Sequence, residues 1–118
     1  MKLDAFYMAV GGNYEEVVSR FPREDRILRY LRMLPADGSM ELLAAAMRTQ
    51  DAETAFRAAH TLKGVALNLG LTDLAEAAAA MTEALRGRTA LPAETSALYR
   101  AVADAYARFE AALGALEE

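Results

Sequence analysis

The chain reads as an all-α protein, an antiparallel four-helix bundle with additional short helices at its N-terminus. Three observations predict this. Alanine dominates an apolar content of 54% while aromatics reach only 8%, a composition that favours close-packed helices over strands. Apolar residues recur at alternating spacings of four and three in three successive segments, the signature of helical seams. Proline and glycine separate these segments by short loops, as adjacent antiparallel helices require.

The elements follow in order. Leu3 to Val10 forms a short apolar segment closed by Gly11-Gly12. Asn13 or Gly12 can cap a second short helix carrying Tyr14, Val17, Val18 and Phe21. Pro22 opens a third, with Ile27, Leu31 and Leu34 on one face. Pro35 and Gly38 end it, and Ser39 is the expected N-cap of a helix bearing Leu43 and Met47. Asp51 is the expected N-cap of the next helix, which runs to Gly70 along the seam Ala55, Ala59, Leu62, Ala66, Leu69. Thr72 is the expected cap of a helix with Leu74, Ala78, Met81 and Leu85, closed by Gly87. Pro92 is expected near the first turn of the last helix, whose seam is Leu98, Val102, Ala105, Phe109, Ala112 and Leu116. The expected organisation is one domain over 1–118, with N-terminal helices in 1–36 and bundle helices in 39–117.

Bulk properties exclude several function classes. A net charge of −4 lacks the basic footprint of a nucleic-acid binder. Without cysteine there is neither a disulfide nor a thiolate ligand or nucleophile. No apolar run reaches the length of a membrane span, and the N-terminus does not resemble a signal peptide, so the expected location is the cytoplasm. A metal site is not expected, because the one histidine has no repeating carboxylate pair beside it. No GxxxxGK[ST] or GxGxxG loop offers a nucleotide site. The recurrent Arg20, Arg23, Arg26, Arg29 and Arg32 drift around a helix and read as a solvated face with pairs such as Asp25–Arg29. A basic rim for an acidic partner is the alternative. Glu117 and Glu118 read as solvated charges.

The single histidine, His60, carries the chemistry. It lies in Ala58-Ala59-His60-Thr61-Leu62-Lys63-Gly64, with a lysine at +3 and a glycine at +4 on one helical surface. At about 100° per residue, His60 falls about 150° from the seam and should face solvent in mid-helix. Gly64 costs about 1 kcal/mol against alanine in an exposed helix, and this chain uses alanine freely. Either a partner approaches closely there or another helix packs tightly. Lys63 is one of two lysines against eleven arginines, so a compact, mobile ammonium rather than a planar guanidinium stands one turn from the imidazole, in reach of an anionic group there. The bland reading is a solvated lysine. Phe56 and Leu67 flank His60. Residues of these types at helical spacing usually belong to a core, which would place both beneath the N-terminal helices. The other reading is an apolar docking rim, with Arg57 and Asn68 as its polar edge.

The stretch from His60 to Gly70, followed by Leu74 and Ala75, resembles the core motif of histidine-containing phosphotransfer (HPt) domains. The specific likeness spans about thirty residues, and the other helices agree in pattern only. The resemblance implies a four-helix bundle with extra N-terminal helices, phosphorylation of His60, assistance by Lys63 and an open approach over Gly64. It implies a phosphorelay carrier without an ATP site or cofactor of its own. Its partner would be the receiver domain of a response regulator, bringing the acceptor Asp and Mg²⁺, with a hybrid sensor kinase upstream. Two residues depart from the family pattern. Val65 is larger than the usual small residue, and Thr82 is short for the polar contact some members make to the imidazole. Three rival readings stand beside the carrier: a module of this fold that docks receivers without transfer, a purely structural bundle, and a kinase dimerisation domain. The last would require an ATP-binding domain.

Overall fold

In a computed structural model, which describes residues 1–116, seven α-helices and one 3-10 turn are present and no strand occurs among the described residues. The helices are α1 (Leu3–Ala9), α2 (Tyr14–Arg20), α3 (Glu24–Met33), α4 (Ser39–Thr49), α5 (Ala52–Asn68), α6 (Thr72–Leu85) and α7 (Thr95–Gly114). The 3-10 turn, Pro35–Asp37, joins α3 to α4. Glu117 and Glu118 lie outside the described residues, as does the last position of the expected bundle segment.

Helices α4 to α7 form the bundle. α5 packs against both α4 and α6, and α6 packs against α7. Tyr106 of α7 is buried. Burial chiefly, with help from the nearby Glu110, Glu41 and Asp37 carboxylates, pushes the Tyr106 hydroxyl up to about 12. The three seams read from the sequence are the core. Ala55, Ala59, Leu62, Ala66 and Leu69 are buried, as are Leu74, Ala78, Met81 and Leu85. In α7 the seam is buried from Val102 to Leu116, and Leu98 is partly buried. None of the described helices is long and apolar enough to cross a membrane.

Two expected caps are corrected. Gly38, at φ +83°, occupies the N-cap of α4. Ser39 is the first helical residue instead, and its amide donates to Asp37 Oδ1 at 2.9 Å. Leu71 rather than Thr72 occupies the N-cap of α6. No side chain is needed there, because the first-turn amide of Asp73 donates to the Gly11 carbonyl at 3.1 Å. Pro92 precedes α7 in a turn whose carbonyl accepts from the Thr95 amide at 3.1 Å.

The N-terminal helices brace the end of α5. The Asn13 amide donates to the Gly70 carbonyl at 2.8 Å, and the Tyr7 hydroxyl donates to the Leu69 carbonyl at 2.6 Å. Burial raises the Tyr7 hydroxyl far above its ordinary range. Gly70 has φ +68°, and a Cβ there would come within 2.8 Å of the Asn13 carbonyl oxygen. Arg20 donates to the carbonyls of Leu67 at 3.3 Å and Asn68 at 2.7 Å. A cation thereby closes the negative end of the helix and adds a donor to its last carbonyls. At the other end Asp51 accepts from the Thr54 amide at 3.1 Å and the Thr54 hydroxyl at 2.7 Å. These bonds hold the Asp51 carboxyl below its ordinary range. The helix that carries His60 is therefore fixed at both termini and along its buried seam.

Candidate functional site

α5 contains 17 residues, and His60 sits near its middle. Its seam faces the core, which turns His60 and Gly64 outward into solvent and leaves Lys63 half-buried between them and the core. A Cβ added to Gly64 would meet nothing within 4 Å. Tight packing of a neighbouring helix is therefore not what Gly64 serves. Gly64→Ala should raise stability by about 0.5–1 kcal/mol through helix propensity alone, read as an increase in the midpoint of urea unfolding.

Phe56 is not buried beneath the N-terminal helices. It lies one turn before His60, partly buried, with its ring stacked on the imidazole at 6.0 Å between centroids and 6° between planes. Leu67 is also not core, being 52% exposed. It shares with Gly64 and Asn68 the α5 side of a groove of about 1000 Å³, whose opposite wall includes Phe21, Tyr30 and Met33. Phe21 and Tyr30 meet edge to face at 5.1 Å, which gives that wall a fixed shape. Arg57 stands apart from both features and pairs with Glu53 at 2.9 Å. The structure thus brings Phe56 to His60, places Leu67 and Asn68 in the groove, and leaves Arg57 on the outer face of α5.

The α6 side contains Thr82, singled out in the sequence, and two residues, Glu83 and Arg86, that were not chosen as site residues. Thr82 is buried, and its hydroxyl donates to the Ala78 carbonyl at 2.7 Å within α6. Its donor is committed within its own helix. Glu83 and Arg86 are on the exposed side of α6, joined by bonds to Glu83 Oε2 of 2.7 Å from Arg86 Nη2 and 3.2 Å from Nε. The Arg86 guanidinium carbon lies 5.3 Å from the centroid of the Phe56 ring. The bond from Arg86 chiefly, then the charges on Arg86 and Lys63, hold the Glu83 carboxyl below its ordinary range. A glutamate and arginine three apart on one helix were visible in sequence. Their placement beside His60 depends on the register of α5 against α6.

Elsewhere, Asp25 pairs with Arg23 at 3.0 Å rather than with Arg29. The arginine series is also split in role, since Arg20 holds the end of α5.

The fold defines a class, an all-helical bundle, and on its surface one imidazole stands exposed in mid-helix with a lysine and a glycine one turn on. A family model describing the Hpt domain matches residues 30–117, from within α3 through α7, and the chain belongs to that family. Hpt domains serve histidine phosphotransfer in phosphorelays as carriers rather than kinases, and they interact with receiver domains of two-component systems. No curated protein and no solved structure matches the chain.

Proposed function

We propose that His60 is the phosphoryl carrier of this domain and that it exchanges the group with an aspartate of a receiver domain. The observation that carries the reading is the exposure of the one imidazole in mid-helix, with Lys63 and Gly64 one turn on. A neutral ring nitrogen has a lone pair that can form a P–N bond. In the same step the P–O bond of the partner's aspartyl phosphate breaks and its carboxylate leaves; the reverse step returns the group. Such transfer needs alignment and charge neutralisation more than covalent assistance from the protein. Lys63 supplies a cation one turn along the helix. Gly64 keeps the in-line approach open. The receiver brings the Mg²⁺ that its own carboxylates hold.

Partner docking uses the apolar surface around this face. Phe56 lies on one side of His60, and Leu67 and Asn68 lead from Gly64 into the groove. Arg57, turned away toward Glu53, contributes at the margin.

Incubation with a phosphorylated receiver domain and Mg²⁺ tests the reading. The expected result is transfer of an acid-labile, base-stable label to this protein. Absence of label, with the receiver still able to phosphorylate another Hpt domain, contradicts it. Gly64→Gln should lower the transfer rate about a hundredfold, because a displacement of about 1 Å from in-line geometry costs that much. The same variant should retain its helical circular dichroism.

A further inference from the structure

The Glu83–Arg86 ion pair adds little to the stability of the bundle. Both side chains are largely exposed, and exposed ion pairs contribute little to stability. Yet Arg86 shares an aromatic neighbour with the histidine. The Phe56 ring is stacked on the imidazole at 6.0 Å between centroids, and the Arg86 guanidinium carbon lies 5.3 Å from the same ring centroid; the Lys63 charge also acts on Glu83. Arg86 occupies the C-cap of α6, where the backbone has left helical geometry, so its side chain projects from the last turn. Thr82, one turn earlier, is buried and occupied.

On the reading that His60 carries the phosphoryl group, we propose that Arg86 is a second phosphoryl-binding cation, held by Glu83 until His60 is phosphorylated. A phosphoryl group has up to two negative charges and three acceptor oxygens. It competes with one carboxylate for a guanidinium whose planar fork suits phosphate oxygens. It also repels Glu83, which weakens the resting pair from the other side. Leaving Glu83 sacrifices only a solvent-screened ion pair, and the flat Phe56 ring offers the guanidinium a surface on which to move. When the phosphoryl group departs, Glu83 recovers Arg86. Lys63 and Arg86 would then approach the group from α5 and α6, and Glu83 would limit how tightly it is held.

The test loads purified wild type, Arg86→Ala, Arg86→Lys and Glu83→Gln with phosphoramidate, and follows loss of phosphohistidine at one pH and ionic strength. In loading, the imidazole lone pair forms a P–N bond as the donor's P–N bond breaks and ammonia departs. Loss of the group requires a protonated ring as leaving group, and a nearby cation disfavours that protonation. Arg86→Ala should therefore shorten the lifetime about fivefold, with Arg86→Lys between it and wild type. Glu83→Gln frees Arg86 and removes a repelling charge, so it should lengthen the lifetime about twofold. A merely structural pair is broken equally by either variant, and both would then shift in one direction. Shifts of the same sign, or a lifetime indifferent to Arg86 in protein that loads normally, overturn the assignment of Arg86 alone. Failure of the wild type to load at His60 overturns the carrier reading and this inference with it.

Discussion

His60→Gln is expected to reduce phosphoryl uptake to background while leaving the fold intact. Glutamine keeps a polar side chain of similar reach, but its amide nitrogen has no basic lone pair, so no P–N bond forms. The chain contains one histidine, so no second imidazole can take over. The side chain is exposed, and surface changes of that kind usually stay within about 0.5 kcal/mol. Acid-labile labelling and thermal unfolding, measured on the same preparation, check both parts. Residual label in this variant would place the chemistry on another residue. A large fall in melting temperature would mean that His60 supports the structure.

Phe109→Ala is expected to have the largest effect on stability, about 3–5 kcal/mol. Phe109 is 1% exposed. It meets Phe6 of α1 edge to face at 6.1 Å and Tyr106 at 5.6 Å, and so ties the N-terminal helix to α7. Truncation removes the buried ring and leaves a cavity that two short helices and an alanine-rich bundle can close only in part. The melting temperature should fall by roughly 10–20 °C, and α1 should loosen first. Because α1 carries Tyr7, whose hydroxyl holds the Leu69 carbonyl, the C-terminal end of α5 should lose protection from amide exchange before its N-terminal end does.

The bundle was legible because its rule is local. Alternating spacings of four and three in α5, α6 and α7 identify a buried stripe without knowledge of what covers it, and those stripes are the core. The exposure of His60 follows from the same arithmetic, whereas the open space at Gly64 does not, because a neighbouring helix packed there would have fitted the same pattern. The misplaced caps show where residue type fails. Ser39 and Thr72 are good cap formers, but an Asx turn from Asp37 and a carbonyl from Gly11 had already satisfied the amides. The Gly11 bond joins segments sixty residues apart and leaves no local trace. Phe56 and Leu67 were harder still. Their apolar character fits a core as well as a partner face, and only the placement of α2, α3 and α6 decides between them. Glu83 and Arg86 could be seen as a helix-surface pair, but their proximity to His60 depends on how α6 is registered against α5, which no pattern within either helix encodes.

The most direct measurement is to locate the phosphoryl group itself. Wild-type protein phosphorylated by a receiver domain, kept at alkaline pH and mapped by tandem mass spectrometry, should contain the group on His60 and nowhere else. A phosphoryl group found on any other residue, or none at all after exposure to a competent phosphorylated receiver, would contradict the account.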